Sequence, residues 1–270
     1  MTEAMNTFRA RDGATLLLRT WAPARTARGE ILLVHGLGEH SGRYRHVGEY
    51  LAASGFAVRA PDLRGFGRSA GTRAYVDGFE VFLDDLALLV SDRAVPGVPL
   101  VLVGHSLGGL IALSYVLSGH PRPDLLVLSA PALDADISPL KRMLARVLGG
   151  VAPRLALPNA ITGEQLSTDP SVGEAYFADP LVYTKSTTRL GRESLAAMEA
   201  ARRGLADLSI PTLVIHGGDD TLVPTAVSEP LGDLAGVERV VFEGFRHESF
   251  NEGGGRLALE TVVGWIDARI

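Results

Sequence analysis

Pro99-Leu-Val-Leu-Val-Gly-His-Ser-Leu-Gly-Gly-Leu-Ile-Ala-Leu113 runs from four consecutive apolar residues, through a glycine-flanked serine, into small and apolar residues suited to a helix. This order predicts strand, sharp turn, helix, with Ser106 at the apex of Gly104-x-Ser106-x-Gly108. The glycines let the backbone turn tightly and let neighbouring elements approach, so the hydroxyl stands clear at the top of a sheet. With 31 glycines in 270 residues the pattern can arise by chance, and a capping serine in a glycine-rich turn has the same local look. The rest of the chain has to decide.

Upstream, Arg11-Asp12-Gly13 separates two strand-like runs, Thr7–Ala10 and Thr15–Trp21, and predicts an opening β-hairpin. Glu30-Ile-Leu-Leu-Val-His35 is a continuous apolar run, as in a strand buried on both faces, and it ends in Gly36-Leu37-Gly38. A helix is expected from about Arg43 to Ala53, a short strand at Phe56–Ala60, and a helix over Phe79–Val95, where Phe82, Leu83, Leu86, Leu89 and Val90 share helical spacing. Downstream of the elbow, Asp124–Ser129 is the next strand. Strands alternating with helices predict a mostly parallel sheet covered on both faces. The alternation breaks between Ala132 and about Leu208, where five prolines are spread among apolar residues and no strand is expected. There Leu140, Met143, Leu144, Val147, Leu148 and Val151 fall on one helical face, with Lys141, Arg142 and Arg146 off it. That stripe suits either burial on the main body or exposure to lipid. Order resumes with Pro211–His216, a helix near Ala226–Leu234, the strand Glu238–Phe242 and a last helix near Leu257–Arg269. The expected organisation is an α/β core in two parts, residues 1–131 and 209–270, around an inserted helical cap at 132–208.

Composition narrows the function. A net charge of −5 without a long basic run disfavours nucleic acid as a partner. The absence of cysteine excludes disulfides, thiolate catalysis and cysteine-ligated metals. No segment reaches the roughly 18 uninterrupted apolar residues of a membrane span, and the first ten residues lack the apolar run of a secretory signal. A cytoplasmic protein is expected, meeting lipid, if at all, from the water side.

An unassisted hydroxyl is a poor nucleophile, so Ser106 needs a base and the base an orienting acid. His247 and the Asp219-Asp220 pair each follow a predicted strand, in the chain order serine, acid, histidine, and such loops converge at the carboxyl edge of a parallel sheet. The other six histidines lack that context and read as structural or solvent-facing. Spacing does not choose between Asp219 and Asp220. Two main-chain N–H groups, of Leu107 just past the serine and of Leu37 in the first glycine turn, are candidate oxyanion donors.

The stretches His35-Gly-Leu-Gly-Glu-His-Ser-Gly-Arg-Tyr44, Asp62-Leu-Arg-Gly-Phe-Gly-Arg-Ser69, Gly104-His-Ser-Leu-Gly-Gly109, Leu128–Pro131, Asp179-Pro-Leu181, Gly217–Pro224 and His247-Glu-Ser-Phe-Asn-Glu252 together resemble the monoacylglycerol lipases of the α/β-hydrolase superfamily. The resemblance spans nearly the whole chain. It implies Ser106 as nucleophile, Asp220 as acid, His247 as base and Leu37 and Leu107 as oxyanion donors. It also implies that Glu39 and Arg43 contact the substrate headgroup, that the cap's inner wall holds an acyl chain, and that no metal or cofactor takes part. Glu39 and Arg43 equally suit an ion pair buttressing the turn. Two positions depart from the family pattern: Leu107 stands where many relatives carry Met, and Phe250 where some carry a polar residue. The implied substrate is a monoacylglycerol. The alternatives are a lysophospholipase or carboxylesterase with the same triad and, from another class, a catalytically silent ligand-binding protein.

Overall fold

The structure, a computed structural model, describes residues 2–134 and 138–270, without the side chain of Lys141. β1 (Thr2–Arg9) and β2 (Thr15–Ala22) form the expected antiparallel hairpin, and Gly13, at φ +86°, supplies the left-handed turn residue. Then β3 (Gly29–Val34), α1 (Arg45–Ala53), β4 (Phe56–Pro61), α2 (Glu80–Ser91), β5 (Leu100–His105), α3 (Leu107–Val116) and β6 (Leu125–Ser129) follow the alternation read from the sequence. Between β6 and the next strand of the main sheet lie α4 (Pro139–Val151), β7 (Ala156–Pro158), α5 (Gly163–Leu166), α6 (Pro170–Ala178), β8 (Lys185–Thr187) and α7 (Thr188–Arg203). The chain finishes with β9 (Thr212–Gly217), α8 (Glu229–Gly232), β10 (Val237–Phe242) and α9 (Gly255–Asp267).

The main sheet has eight strands in the order β1-β2-β4-β3-β5-β6-β9-β10, parallel from β4 onward. This is an α/β-hydrolase fold. Its inner strands read as unbroken apolar runs because both faces are covered. Leu32, Val34, Leu100, Leu102, Leu126 and Leu128 pack with side chains of α2, α3 and α7, while Ile31, Leu33, Val101, Val103, Leu125 and Val127 pack with those of α1 and α9. Parallel order brings the loops after β3, β5, β9 and β10 to one edge. Those loops carry the candidate site residues.

Two local expectations are corrected. The segment after β6 does hold strands, the antiparallel pair β7 and β8, each only three residues long and so too short for a period-two pattern to be read. The helix expected at Ala226–Leu234 is a 3-10 turn at Thr225–Ser228 followed by the single turn α8, because Pro230 removes a donor and is tolerated only at a helix start.

The structure also decides the orientation of α4. Arg146 pairs with Glu199 of α7, and Gly149 lies so close to α7 that a Cβ there would come within 2.7 Å of the Thr188 carbonyl oxygen. With its polar side and its glycine turned to α7, the helix leaves its stripe outward, and Leu140 and Val151 are 68% and 74% exposed. The position expected for the Lys141 side chain, off the stripe, lies outside the described residues. No helix among them is long and apolar enough to cross a membrane.

Candidate active site

At the apex of the elbow Ser106 is held at φ +54°, ψ −117°, a conformation L-residues rarely adopt. The turn closes because Gly108 has no side chain: a Cβ there would stand 2.2 Å from the Val34 carbonyl oxygen. The Ser106 N–H donates to Ser129 O (2.9 Å), and its carbonyl accepts from Leu110 N (3.0 Å) and Ala132 N (3.1 Å). Backbone bonds thus fix the strained residue while its hydroxyl faces a cavity.

His247, in the loop after β10, lines the same cavity, and its Nδ1 lies 2.7 Å from Asp220 Oδ2. Asp220 is buried and Asp219 exposed. The choice that spacing left open is made by the turn itself, since Leu222 N (2.8 Å) and Val223 N (2.9 Å) both donate to Asp220 Oδ1 and so aim the other oxygen inward. Burial alone would raise this carboxyl, but the hydrogen bonds from His216 and His247 outweigh it and hold Asp220 well below its ordinary range. The imidazole and the Ser106 hydroxyl are not hydrogen-bonded in this arrangement. Such contacts commonly tighten only around a substrate.

The turn after β3 is braced on several sides. The Glu39 carboxylate accepts from Gly36 N (2.6 Å) and Tyr44 Oη (2.7 Å). His35 donates from Nδ1 to Gly36 O (2.8 Å) and accepts at Nε2 from Leu63 N (2.9 Å). From the segment before β8, Tyr183 N donates to Gly38 O (2.7 Å). Leu37 and Leu107 both line the cavity, and neither N–H has a backbone acceptor among the described residues. Leu107 opens α3, where the first N–H groups lack helical partners.

Glu39 reaches the cavity but Arg43 does not. The Arg43 guanidinium donates from Nη1 to Glu39 Oε2 (2.7 Å) and from its two Nη atoms to the two oxygens of Glu248 (2.6 and 2.8 Å). The headgroup role expected of Arg43 is therefore indirect at most, and its visible work is to neutralise two buried carboxylates. Phe250 is buried in the α1 and α9 side of the core, away from the cavity.

Above the elbow lies a cavity of about 520 Å³. One wall is apolar, built from Leu107, Ile161, Leu190, Leu195 and Met198. Near the oxyanion turn the lining is polar: Tyr176 Oη and Asn159 Nδ2 are buried without partners and lie 3.0 and 3.6 Å from where a Cβ on Gly38 would stand. The base loop and the inserted segment are also joined. His247 N and Glu248 N donate to Gln165 O (3.3 Å) and Leu166 O (2.8 Å). The buried Glu252 carboxylate accepts from Ser167 Oγ (2.8 Å), Thr168 N (2.9 Å), Thr168 Oγ1 (2.6 Å) and Arg246 N (2.7 Å).

The family described as serine aminopeptidase, S33 matches residues 25–254. The monoacylglycerol lipase of Mycolicibacterium smegmatis is 36% identical over 273 aligned residues, 98% of this chain and 97% of the relative. The chain belongs to the monoacylglycerol lipase family. The phospholipase YtpA of Bacillus subtilis is 31% identical over 86% of this chain and 92% of its own length. The crystal structure of the monoacylglycerol lipase of Paleococcus ferrophilus superposes with a TM-score of 0.85 at 31% identity, covering 93% of this chain and 98% of the other. The protein is a serine hydrolase.

Three residues of this hydrolase escaped the sequence reading. Asn159 and Tyr176 lie in a segment without regular pattern and meet the oxyanion turn only in three dimensions. His216 shares Asp220 with His247, its Nε2 lying 3.2 Å from Asp220 Oδ2. The spacing of four residues across Gly217-Gly218 was the available clue. His40, read as lacking an acid, pairs with Asp179 at 2.9 Å.

Two fully buried histidines carry a pH signature. Burial, and after it the neighbouring His247 ring, pushes His105 down to about 3, and burial likewise lowers His35. The His105 ring stays neutral in the fold, whereas in the unfolded chain it takes up a proton as pH falls through about 6.5. The sign follows: stability is complete above that pH and declines below it, approaching about 1.4 kcal/mol per pH unit for His105, with His35 adding in the same direction. Urea melts between pH 6.5 and 5 should show stability falling with pH, the slope approaching at least one proton near pH 5. A flat profile would contradict the neutral assignment.

Proposed function

We propose that this serine hydrolase cleaves monoacylglycerols to glycerol and a free fatty acid through an acyl-serine on Ser106. The observation that carries the reading is the division of the cavity, apolar along one wall and lined by the polar residues Glu39, Asn159 and Tyr176 near the turn after β3. An acyl chain gains about 0.8 kcal/mol per buried methylene on the apolar side, and the polar end suits a glycerol headgroup. Ser106 attacks the ester carbonyl as His247 takes its proton. Asp220 holds the imidazole through Nδ1, and the N–H groups of Leu37 and Leu107 receive the oxyanion, each contributing roughly 3 kcal/mol. His247 passes the proton to the departing glycerol oxygen. Water then loses a proton to His247, attacks the acyl carbon, and releases the fatty acid as Ser106 regains its proton.

A lysophospholipase reading draws on the Bacillus subtilis relative. Against it, the described lining residues include no lysine or arginine, while Glu39 and Glu248 are among them. A headgroup phosphate would find no free cation there among the described residues, since Arg43 is engaged by Glu39 and Glu248. The outward stripe of α4 supports delivery of substrate from a lipid surface by peripheral contact, the enzyme working from the aqueous side. Hydrolysis of monoacylglycerol, lysophospholipid and triacylglycerol, measured side by side in mixed vesicles, tests both points. Monoacylglycerol is expected to be fastest, and serines at Leu140, Met143, Leu144 and Val147 are expected to slow vesicle turnover while sparing soluble p-nitrophenyl acetate. A faster rate on lysophospholipid would reverse the headgroup assignment.

A further inference from the structure

We propose that His216, at the end of β9, is a positioning residue for this hydrolysis, clamping the acid turn and tempering Asp220 through a second imidazole donor. The proposal rests on the triad reading of Ser106, His247 and Asp220. His216 is fully buried, and its Nε2 lies 2.9 Å from Val223 O and 3.2 Å from Asp220 Oδ2. Both neighbours are acceptors, so Nε2 carries the hydrogen and donates to the two of them.

The other nitrogen completes the assignment. His216 Nδ1 lies 2.9 Å from Ser228 Oγ. That hydroxyl accepts from Arg239 Nε (2.9 Å), and its own hydrogen has two acceptors within reach, His216 Nδ1 and Thr225 O (3.0 Å), the latter also served by Arg239 Nη2 (2.9 Å). With Nε2 carrying a hydrogen toward its two acceptors, Nδ1 faces the Ser228 hydroxyl, which can serve it in place of Thr225 O. A chain of donors runs inward from Arg239 through Ser228 and His216 to Asp220.

Two effects follow. Val223 N donates to Asp220 Oδ1 while Val223 O accepts from His216, so the ring closes the acid turn on itself and holds the carboxylate toward His247. The shared oxygen is also less basic than one facing a single imidazole, so it holds the His247 proton less tightly in the imidazolium. The charged and titratable neighbours of this group are few. Asp220 faces His216 and His247; His247 has His105 on its other side at a ring distance of 4.8 Å and Glu248 next in the chain, whose carboxylate Arg43 holds; Arg239 lies beyond Ser228.

The test uses the full chain with p-nitrophenyl butyrate across pH 5 to 9. His216→Met removes the donor at similar volume, and His216→Gln keeps a side-chain N–H. In His216→Met, kcat is expected to fall about tenfold with KM nearly unchanged, and the acid limb of kcat/KM to move up by about half to one pH unit. His216→Gln should recover most of both. If His216→Met fails to fold, Ser228→Ala, which removes the hydroxyl at Nδ1 while Arg239 keeps its bond to Thr225 O, should move the limb in the same direction by less. An acid limb that stays in place in His216→Met, or in Ser228→Ala where the former does not fold, overturns the proposal and leaves His216 a packing residue. A wild-type enzyme that neither turns over the ester nor labels with a fluorophosphonate would instead overturn the triad reading, so the two failures are distinguishable.

Discussion

Ser106→Ala is expected to lower p-nitrophenyl ester turnover by about 10⁶-fold and to abolish fluorophosphonate labelling, while leaving the melting temperature nearly unchanged. The activity loss follows from removing the only oxygen at the apex of the elbow. Stability is spared because the Ser106 side chain caps nothing in α3. Both residues carry a Cβ and so share the strain at φ +54°, which is of order 1–3 kcal/mol. Ser106→Gly should be equally inactive but melt above the alanine variant, because glycine adopts that backbone at no steric cost. Near-normal turnover by either variant would sink the acyl-serine mechanism. If Ser106→Gly melted lower than Ser106→Ala, the elbow would not be strained.

Arg43→Met is expected to cost about 3–5 kcal/mol of stability, a fall on the order of 10 °C in melting temperature for a domain of this size. Its three donor contacts leave with it, and the Glu39 and Glu248 carboxylates, whose side chains are 3% and 5% exposed, lose their shared cation. In the native protein burial would raise Glu39, but Arg43 foremost holds it below its ordinary value. In the variant Glu39 takes up a proton more readily, so the deficit against wild type should shrink as pH falls toward 5. Arg43→Lys should rescue little, since one ammonium cannot reproduce the fork that meets both oxygens of Glu248. Activity should fall along with stability, because Glu39 also holds the Gly36 N–H of the oxyanion turn. Equal melting temperatures at neutral pH would show that the network is not needed to neutralise buried charge.

The parts of this molecule legible in its sequence are those where one local rule acts. Continuous apolar runs mark strands covered on both faces, and glycines two residues either side of Ser106 mark a turn that a side chain would block. The acid was less legible, because the direction of Asp220 is set by Leu222 N and Val223 N rather than by its place in the chain. Tyr176 and Asn159 were illegible because they meet the turn after β3 only across the fold, and His216 because its partners Asp220, Val223 and Ser228 lie in turns that no strand or helix period records. The α4 stripe could be read in two directions until Gly149 and Arg146 were seen against α7.

The joint between the base loop and the inserted segment has a consequence for engineering. Exchanging the whole of 132–208 for a relative's segment would discard Gln165 O and Leu166 O, which receive His247 N and Glu248 N, and the Ser167 and Thr168 groups that satisfy Glu252. Such a chimera would lose the scaffold of the His247 loop, which carries the proposed general base. A graft confined to α4 through β7 leaves that joint whole while replacing both the outward stripe and part of the cavity wall. In this hydrolase the far half of the insertion is thus tied to the loop that carries His247, whereas α4 through β7 lies outside that joint.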